Sequence, residues 1–398
     1  MISRRVFGEI ARHFGTPVYI YNKEIILEKI RALMQAFTCP SRVILFAMKA
    51  NANFELLKIL KSCGFGIDAV SPVEIALARK LGFVRVVFTG NNVSNEEFDF
   101  ALQDGAQITI DSLSGLDRFG QKFPSWEICL RLNLNIGAGH HQHCITGGPE
   151  SKFGIPLAYV DEAKRIAGRH NLKIVGLHQH IGSQILDPEI ILLAMEELLK
   201  VALHFPDLGL IDFGGGFGVP YRPKEKPLDI MDLGRRMSQR FNRFCEDEYR
   251  KRLCFVIEPG RFLVAESGYL LVRVIDVKRN PDGRVFVGVD SGFCHLDRPA
   301  RYGAYHRIAN ISNPDGAREI VDVVGNLCES GDKFAVQRRI ARPKEGDLLL
   351  IRNAGAYGYS MASNYNCRLK PAEIMVSGNE VTQIREAEHL VHFLGYQA

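Results

Sequence analysis

The chain has a single tryptophan, no pair of cysteines at C-x-x-C spacing and no low-complexity segment. Its nine cysteines are an odd number scattered from Cys39 to Cys367, which argues against a zinc ribbon or a regular disulfide framework. Free thiols of that kind suit a reducing compartment. No stretch approaches the ~20 apolar residues that a membrane span needs. The start carries Arg4 and Arg5 with no sustained apolar run behind them, so it does not read as a secretory signal, and the expected location is the cytoplasm. There is no large charge of one sign: 50 Lys and Arg stand against 45 Asp and Glu, a balance of +5 that gives no footing for a nucleic-acid partner. Neither a Walker signature nor G-x-G-x-x-G spacing occurs, so a nucleotide-binding reading fails.

What is present is an ordinary globular composition, 46% hydrophobic and 24% charged, in a chain of 398 residues, which rules out extensive disorder. At roughly 150 residues per domain the length suggests two or three domains. Across the first two-thirds, β-rich runs at 43–51, 66–71, 86–90, 108–112, 127–134, 172–182, 209–216 and 253–261 alternate with segments of helical spacing, such as Phe54-Leu57-Leu60 and Ile191-Met195-Leu198-Leu199. Ser71-Pro72 with Glu74, and Ser94 with Glu97, read as helix starts. Eight such alternations match a (β/α)₈ barrel, which typically takes ~250 residues. An open doubly wound sheet has the same pattern, since periodicity does not show closure. After Arg261 the rhythm changes to strands at 269–277, 285–289, 319–324, 347–352 and 372–376, with turns at Pro281-Asp282-Gly283, Lys344-Glu345-Gly346 and Ser377-Gly378-Asn379. This is a second, mainly β domain, whose sheet the run at 18–21 is placed to join.

In a barrel the C-terminal strand ends face the active site, and several unusual residues fall there. Lys49 is expected to end the first strand, where desolvation favours a neutral, nucleophilic amine of the kind that forms a Schiff base; a lysine reaching to solvent is the bland alternative. The seventh strand runs into Gly214-Gly215-Gly216-Phe217-Gly218, whose glycines let backbone N–H groups approach a phosphate, or simply make a tight turn. The eighth ends Ile257-Glu258-Pro259-Gly260-Arg261. The sixth carries His178-Gln179-His180, and strand alternation places both histidines on one side. With His140, His141 and His143 nearby, a barrel metallohydrolase is one reading, but the late strands lack a clear aspartate-histidine set, so a core histidine and a pocket histidine are preferred and no metal is expected. Cys328-Glu329-Ser330-Gly331-Asp332, Arg298-Pro299 with Tyr302, and Gly355-Ala356-Tyr357-Gly358 are polar or glycine-bearing segments that carry no assignment when read singly.

Taken in order, Tyr19-Ile20-Tyr21, Ala47-Met48-Lys49-Ala50-Asn51, Ser151-Lys152-Phe153-Gly154, His180-Ile181-Gly182-Ser183-Gln184, the glycine run from 214 to 218, Glu258-Pro259-Gly260-Arg261, Arg298-Pro299, Cys328-Glu329-Ser330-Gly331-Asp332 and Ser363-Asn364-Tyr365-Asn366 resemble the fold-type III pyridoxal-phosphate-dependent decarboxylases over nearly the whole chain. The resemblance implies a TIM-like barrel at 24–262 and a β-sandwich-like domain built from 1–23 and 263–398, the alanine racemase and ornithine decarboxylase type of fold. It implies pyridoxal 5'-phosphate as cofactor, held by Lys49 as a Schiff base, with His180 stacked on its ring and Ser183 at its phosphate. Gly215, Gly216, Gly260 and Arg261, with Pro259 among them, would cradle the phosphate, and Glu258 would partner the ring nitrogen. Tyr357 would touch phosphate and substrate. The proton donor would be Cys328, and Glu329 would read the substrate's distal end, both from the neighbouring subunit of a homodimer. Arg261, Arg298 and Tyr302 would bind the distal carboxylate and backbone of an amino-acid substrate. The implied reaction is decarboxylation of meso-2,6-diaminopimelate to L-lysine, with carboxynorspermidine, D-configured lysine or ornithine, and ornithine itself as alternative substrates. Asn22, Arg301 and Cys294-His295 depart from the family's usual residues.

Overall fold

A computed structural model of the chain describes residues 2–139, 141–142 and 145–395; His140 and His143, singled out above, lie outside the described residues. Two compact units emerge, one of Ile30–Val219 with Lys226–Phe262, the other of Met1–Lys29, Pro220–Glu225 and Leu263–Ala398.

The first unit is a closed barrel. Eight parallel strands, Arg42–Ala47, Gly66–Ala69, Val86–Phe88, Gln107–Ile110, Glu127–Asn133, Lys173–His178, Leu210–Asp212 and Cys254–Ile257, follow one another around the ring. The ring closes where Val43 of the first strand lies opposite Val256 of the eighth. Closure settles the choice between barrel and open sheet. Runs such as Ile44-Leu45-Phe46-Ala47 are apolar without alternation because a barrel strand is covered by helices outside and by other strands inside. Ser71 caps the helix Pro72–Lys80 by accepting from the Glu74 N–H, and Ser94 with Glu97 forms a reciprocal capping box on Asn95–Gln103. Ile191, Met195, Leu198 and Leu199 are all buried on one stripe of the helix Pro188–Ala202.

The second unit is a β-sheet assembly around the twelve-residue strand Gly268–Arg279, which pairs with Val18–Asn22, Leu348–Arg352 and Val285–Val289. Val18–Asn22 also runs parallel to Ala372–Ser377. Both faces of this sheet are covered. Tyr19, Tyr21, Leu270 and Val272 enter one apolar cluster, while Val18, Ile20, Tyr269 and Leu271 enter another, as strand alternation requires. The helix Arg4–Phe14, capped by Ser3, lays Phe7, Ile10 and Ala11 on the second of these clusters. That helix and the strands Ile308–Asn310, Lys333–Ala341 and Glu380–Arg385 were not expected from the sequence.

Candidate active site

The first barrel strand stops at Ala47, and Lys49 sits in the following 3₁₀ turn, Met48–Ala50, not on the strand end as the sequence suggests. The turn closes with Asn51 N–H donating to Met48 O. This takes Lys49 out of the dry strand interior: its side chain is one-third exposed, and Nζ lies 2.7 Å from Oδ2 of Asp68, which is fully buried near the end of the second strand. Thr89, just past the third strand, donates its hydroxyl to the other oxygen of Asp68. Three neighbouring strand ends thus fix the amine.

The sixth strand likewise ends early, at His178, so the pleat that would carry His180 to the same side does not continue. His178 is buried, and its Nε2 lies 3.1 Å from Glu258 Oε2. Asp212, the last residue of the seventh strand, completes a buried trio whose ligand-type atoms lie within 4.8 Å of one another. Gly214 N–H donates to Asp212 Oδ1 at 2.8 Å. The three carry two carboxyl groups, and these are shifted in opposite directions. Burial raises the Asp212 carboxyl well above the ordinary range, and the adjacent Glu258 adds to the effect. Burial pushes Glu258 the same way but is outweighed by His178, as charge and as hydrogen-bond partner, and by Lys49, which bring Glu258 down to about 2. Glu258 is therefore an ionised carboxylate, and its Oε1 is buried without a hydrogen-bond partner among the described residues.

His180 is half-buried in the loop beyond the strand. Burial, then the charges of Lys49 and Arg131, hold its imidazole well below the usual range, hence neutral. Its Nδ1 accepts from the Gly215 N–H at 3.2 Å. The glycine run makes a turn that side chains would block: Gly216 has φ +97°, and a Cβ there would lie 2.7 Å from Gly182 O, while one on Gly215 would lie 2.2 Å from Glu258 O. Gly260 is buried against Ala47 and Ala50, and Arg261 NH2 donates to Ser183 Oγ at 3.0 Å. Arg131, buried on the fifth strand, lies over the ring of Phe153 at 4.7 Å, which gives the Ser151-Lys152-Phe153-Gly154 motif a packing role.

The remaining residues singled out by the sequence belong to the second unit. Cys328 is exposed, and Asn366 Oδ1 accepts from both its backbone N–H, at 3.1 Å, and its thiol, at 3.2 Å. Glu329 accepts from the hydroxyl of Tyr365, whose ring stacks on Phe293. Asp332 ties this loop by accepting from Leu327 and Phe293 N–H. Arg298 is buried, donates to His306 Nε2 at 2.9 Å and lies over Tyr221 at 4.4 Å. Tyr302 ends the short helix Arg298–Tyr302, and Tyr357 is half-buried with φ +54°. Of the departures from the family pattern, Asn22 accepts from Glu24 N–H at 3.0 Å, an aspartate's capping role; Arg301 pairs with Asp297; His295 is buried between Ser291 and Leu369 O. Sequence reasoning missed Asp68, Asp212 and Arg131. Their signal is a charge inside an apolar strand run, as in Leu130-Arg131-Leu132 and Ile211-Asp212-Phe213.

Residues 23–265 match the family described as pyridoxal-dependent decarboxylase, pyridoxal binding domain. The diaminopimelate decarboxylase of Methanothermobacter thermautotrophicus is 44% identical, covering 96% of this chain and 91% of that protein, and that of Archaeoglobus fulgidus is 37% identical over 96% and 92%. Among solved structures, diaminopimelate decarboxylase from Helicobacter pylori complexed with L-lysine superposes with a TM-score of 0.89 at 33% identity, covering 98% of this chain and 99% of that one. With the family match over 23–265 and relatives aligned over nearly all of its length, the chain belongs to the pyridoxal-dependent decarboxylases, in the group of the diaminopimelate decarboxylases.

Proposed function

We propose that this chain uses pyridoxal 5'-phosphate to decarboxylate meso-2,6-diaminopimelate to L-lysine, as a cytoplasmic homodimer. The observation that carries the reading is the buried, ionised Glu258, whose Oε1 has no hydrogen-bond partner among the described residues, in the same barrel mouth as the Lys49 amine and the glycine turn. A protonated ring nitrogen answers that oxygen, since a buried carboxylate oxygen without a donor is costly. A phosphate answers the backbone of Gly215, Gly216 and Gly260, next to Ser183, Pro259 and Arg261. The residues fit the group.

Lys49 would hold the cofactor's aldehyde carbon, and His180, neutral and fixed by Gly215, would lie against its ring. Tyr357 would reach the phosphate. When bound, the cofactor supplies the electron sink for the pair left as carbon dioxide departs. Glu258 holds a proton at the ring nitrogen through a charge-assisted bond, and His178 holds Glu258. Cys328 Sγ carries the proton that replaces the lost carboxylate, with Asn366 orienting the thiol. Cys328 and Glu329 are exposed on the single chain, as residues lent to a partner's site would be.

The carboxylate that leaves should not be gripped by a cation, because ion pairing favours the ground state over the transition state. Arg261, Arg298 and Tyr302 would therefore bind the other carboxylate, and Glu329 the distal ammonium. A dicarboxylate fits these cations; ornithine would leave them without an anion. The decisive experiment incubates the purified protein and pyridoxal phosphate separately with meso-diaminopimelate, lysine, ornithine and arginine and measures carbon dioxide and product. Release with meso-diaminopimelate alone, yielding L-lysine, is expected, and an equal rate with ornithine overturns the substrate assignment. Activity should also survive a chelator, which a metal site at His178, Asp212 and Glu258 would not allow.

A further inference from the structure

Below the trio, the barrel is hollow. A cavity of about 280 Å³ runs from the N-terminal strand ends, at Val43, Val84 and Cys254, up to His178 and Asp212 at the C-terminal ends. Its lining is mainly apolar but includes polar groups: Gln107 donates to Cys129 Sγ at 3.0 Å, and Thr109 is in register with Cys129. Barrel interiors are ordinarily filled by layered side chains, so a void of this size with polar groups in its lining is unusual. At its inner end, His178 Nδ1 is buried and has no hydrogen-bond partner among the described residues, while Nε2 of the same ring is engaged with Glu258. A buried polar atom on the wall of a roomy, partly polar cavity is where proteins keep ordered water.

We propose that this cavity holds a water chain that carries protons between the N-terminal face of the barrel and Glu258, by way of His178. A water hydrogen-bonded to Nδ1 completes the path: with the ring neutral and its proton on Nε2, a proton arrives at Nδ1 as the one on Nε2 passes to Glu258 Oε2, one proton entering for each one delivered, and the reverse sequence empties the site. The need for it rests on the functional reading above. A cofactor seated in the C-terminal mouth, with its ring nitrogen on Glu258, covers the other approach to that carboxylate, so the proton shared there must be exchanged from behind.

Two measurements test this, and they fail separately. The first is a crystal structure of the cofactor-free protein at a resolution that reveals ordered water. Density within hydrogen-bond distance of His178 Nδ1 and onward along Gln107 and Thr109 is expected; a dry cavity overturns the proposal whatever the cofactor does. The second uses ¹⁵N-histidine-labelled enzyme loaded with pyridoxal phosphate, in which NMR reads the exchange of the His178 ring N–H with water, the signal being assigned by its loss in His178→Gln. Val43→Trp plugs the entrance and should slow that exchange by roughly tenfold, the effect of ~1.4 kcal/mol on a barrier, while the bound cofactor's absorbance stays as it was. Exchange as fast in the plugged protein as in the parent overturns the route. Leu210→Phe, at the start of the seventh strand in the same wall, replaces Val43→Trp should that variant fold poorly. If no pyridoxal phosphate is retained, the functional reading has failed and the crystal measurement still decides the cavity.

Discussion

Replacing Lys49 by Met removes the amine while keeping most of the side-chain volume, and it should be felt first in the stability of the cofactor-free protein. Asp68 is fully buried, and the Lys49 ammonium at 2.7 Å is its charged partner. Breaking a buried pair from one side costs about 3–5 kcal/mol, because the remaining charge stays desolvated. Two features reduce that here. The Lys49 side chain is one-third exposed, so water already screens the pair, and Thr89 still donates to Asp68. A loss of ~2 kcal/mol is the working figure, which in a unit of this size lowers the melting temperature by roughly 4–8 °C. Asp68→Asn should recover part of it, since the amide needs no counter-charge. Thermal unfolding of Lys49→Met, Asp68→Asn and the double variant closes a cycle with an expected coupling of about 1–2 kcal/mol. A coupling near zero, or a Lys49→Met protein as stable as the parent, refutes the view that the pair pins the amine. The same variant, given pyridoxal phosphate, should lack the yellow chromophore that borohydride reduces.

Other expectations follow from the same geometry. Glu258 titrates near 2 in the folded protein against an ordinary value of 4.5, so its contribution is complete above about pH 4.5 and disappears as pH falls to about 2. The difference of about 2.5 units corresponds to ~3 kcal/mol, and urea unfolding of Glu258→Gln should show a shallower acid limb; an unchanged limb contradicts the assignment. In the loaded enzyme the same variant should cut decarboxylation with the cofactor still bound. Cys328→Ala should slow turnover by ~10²–10⁴ with cofactor absorbance unaffected, and normal turnover removes that thiol from the mechanism. Gly216→Ala forces a methyl toward Gly182 O at φ +97°, a strain of ~1–3 kcal/mol, and should weaken cofactor retention by about tenfold or more without abolishing the fold. Equilibrium dialysis against pyridoxal phosphate would read this directly.

Much of the fold is legible in the sequence because it is written in local chemistry. All eight barrel strands coincide with apolar runs, and Ser71, Ser94 and the glycine turns at Gly283, Gly346 and Gly378 punctuate the chain where expected. The strands read as too long share one cause. Runs such as 172–182 and 209–216 remain apolar or glycine-rich past the point where pairing stops, at His178 and at Asp212. Pairing depends on a neighbouring strand's length, which no local pattern records. Glu380–Arg385 escaped because it is polar and largely exposed, an edge strand with one partner.

The site divides along the same line. Glycines that admit a backbone turn, and a histidine and carboxylate at strand ends, can be found from type and position, because their roles are set by the backbone beneath them. Asp68, Asp212 and Arg131 cannot, because what each does depends on which charge it meets. Lys49 meets Asp68 nineteen positions away, and His178 meets Glu258 eighty positions away. A barrel brings these ends together by closing on itself, and until it closes a carboxyl in an apolar run reads only as a penalty. The trio makes the point in chemical terms: two buried acids, each raised by the same loss of water, are shifted in opposite directions because His178 and Lys49 together outweigh burial at Glu258. The charge that the proposed chemistry needs is therefore a property of ring closure, and substitutions that shift the sixth strand against the eighth should disturb the ionisation of Glu258 before they disturb the fold.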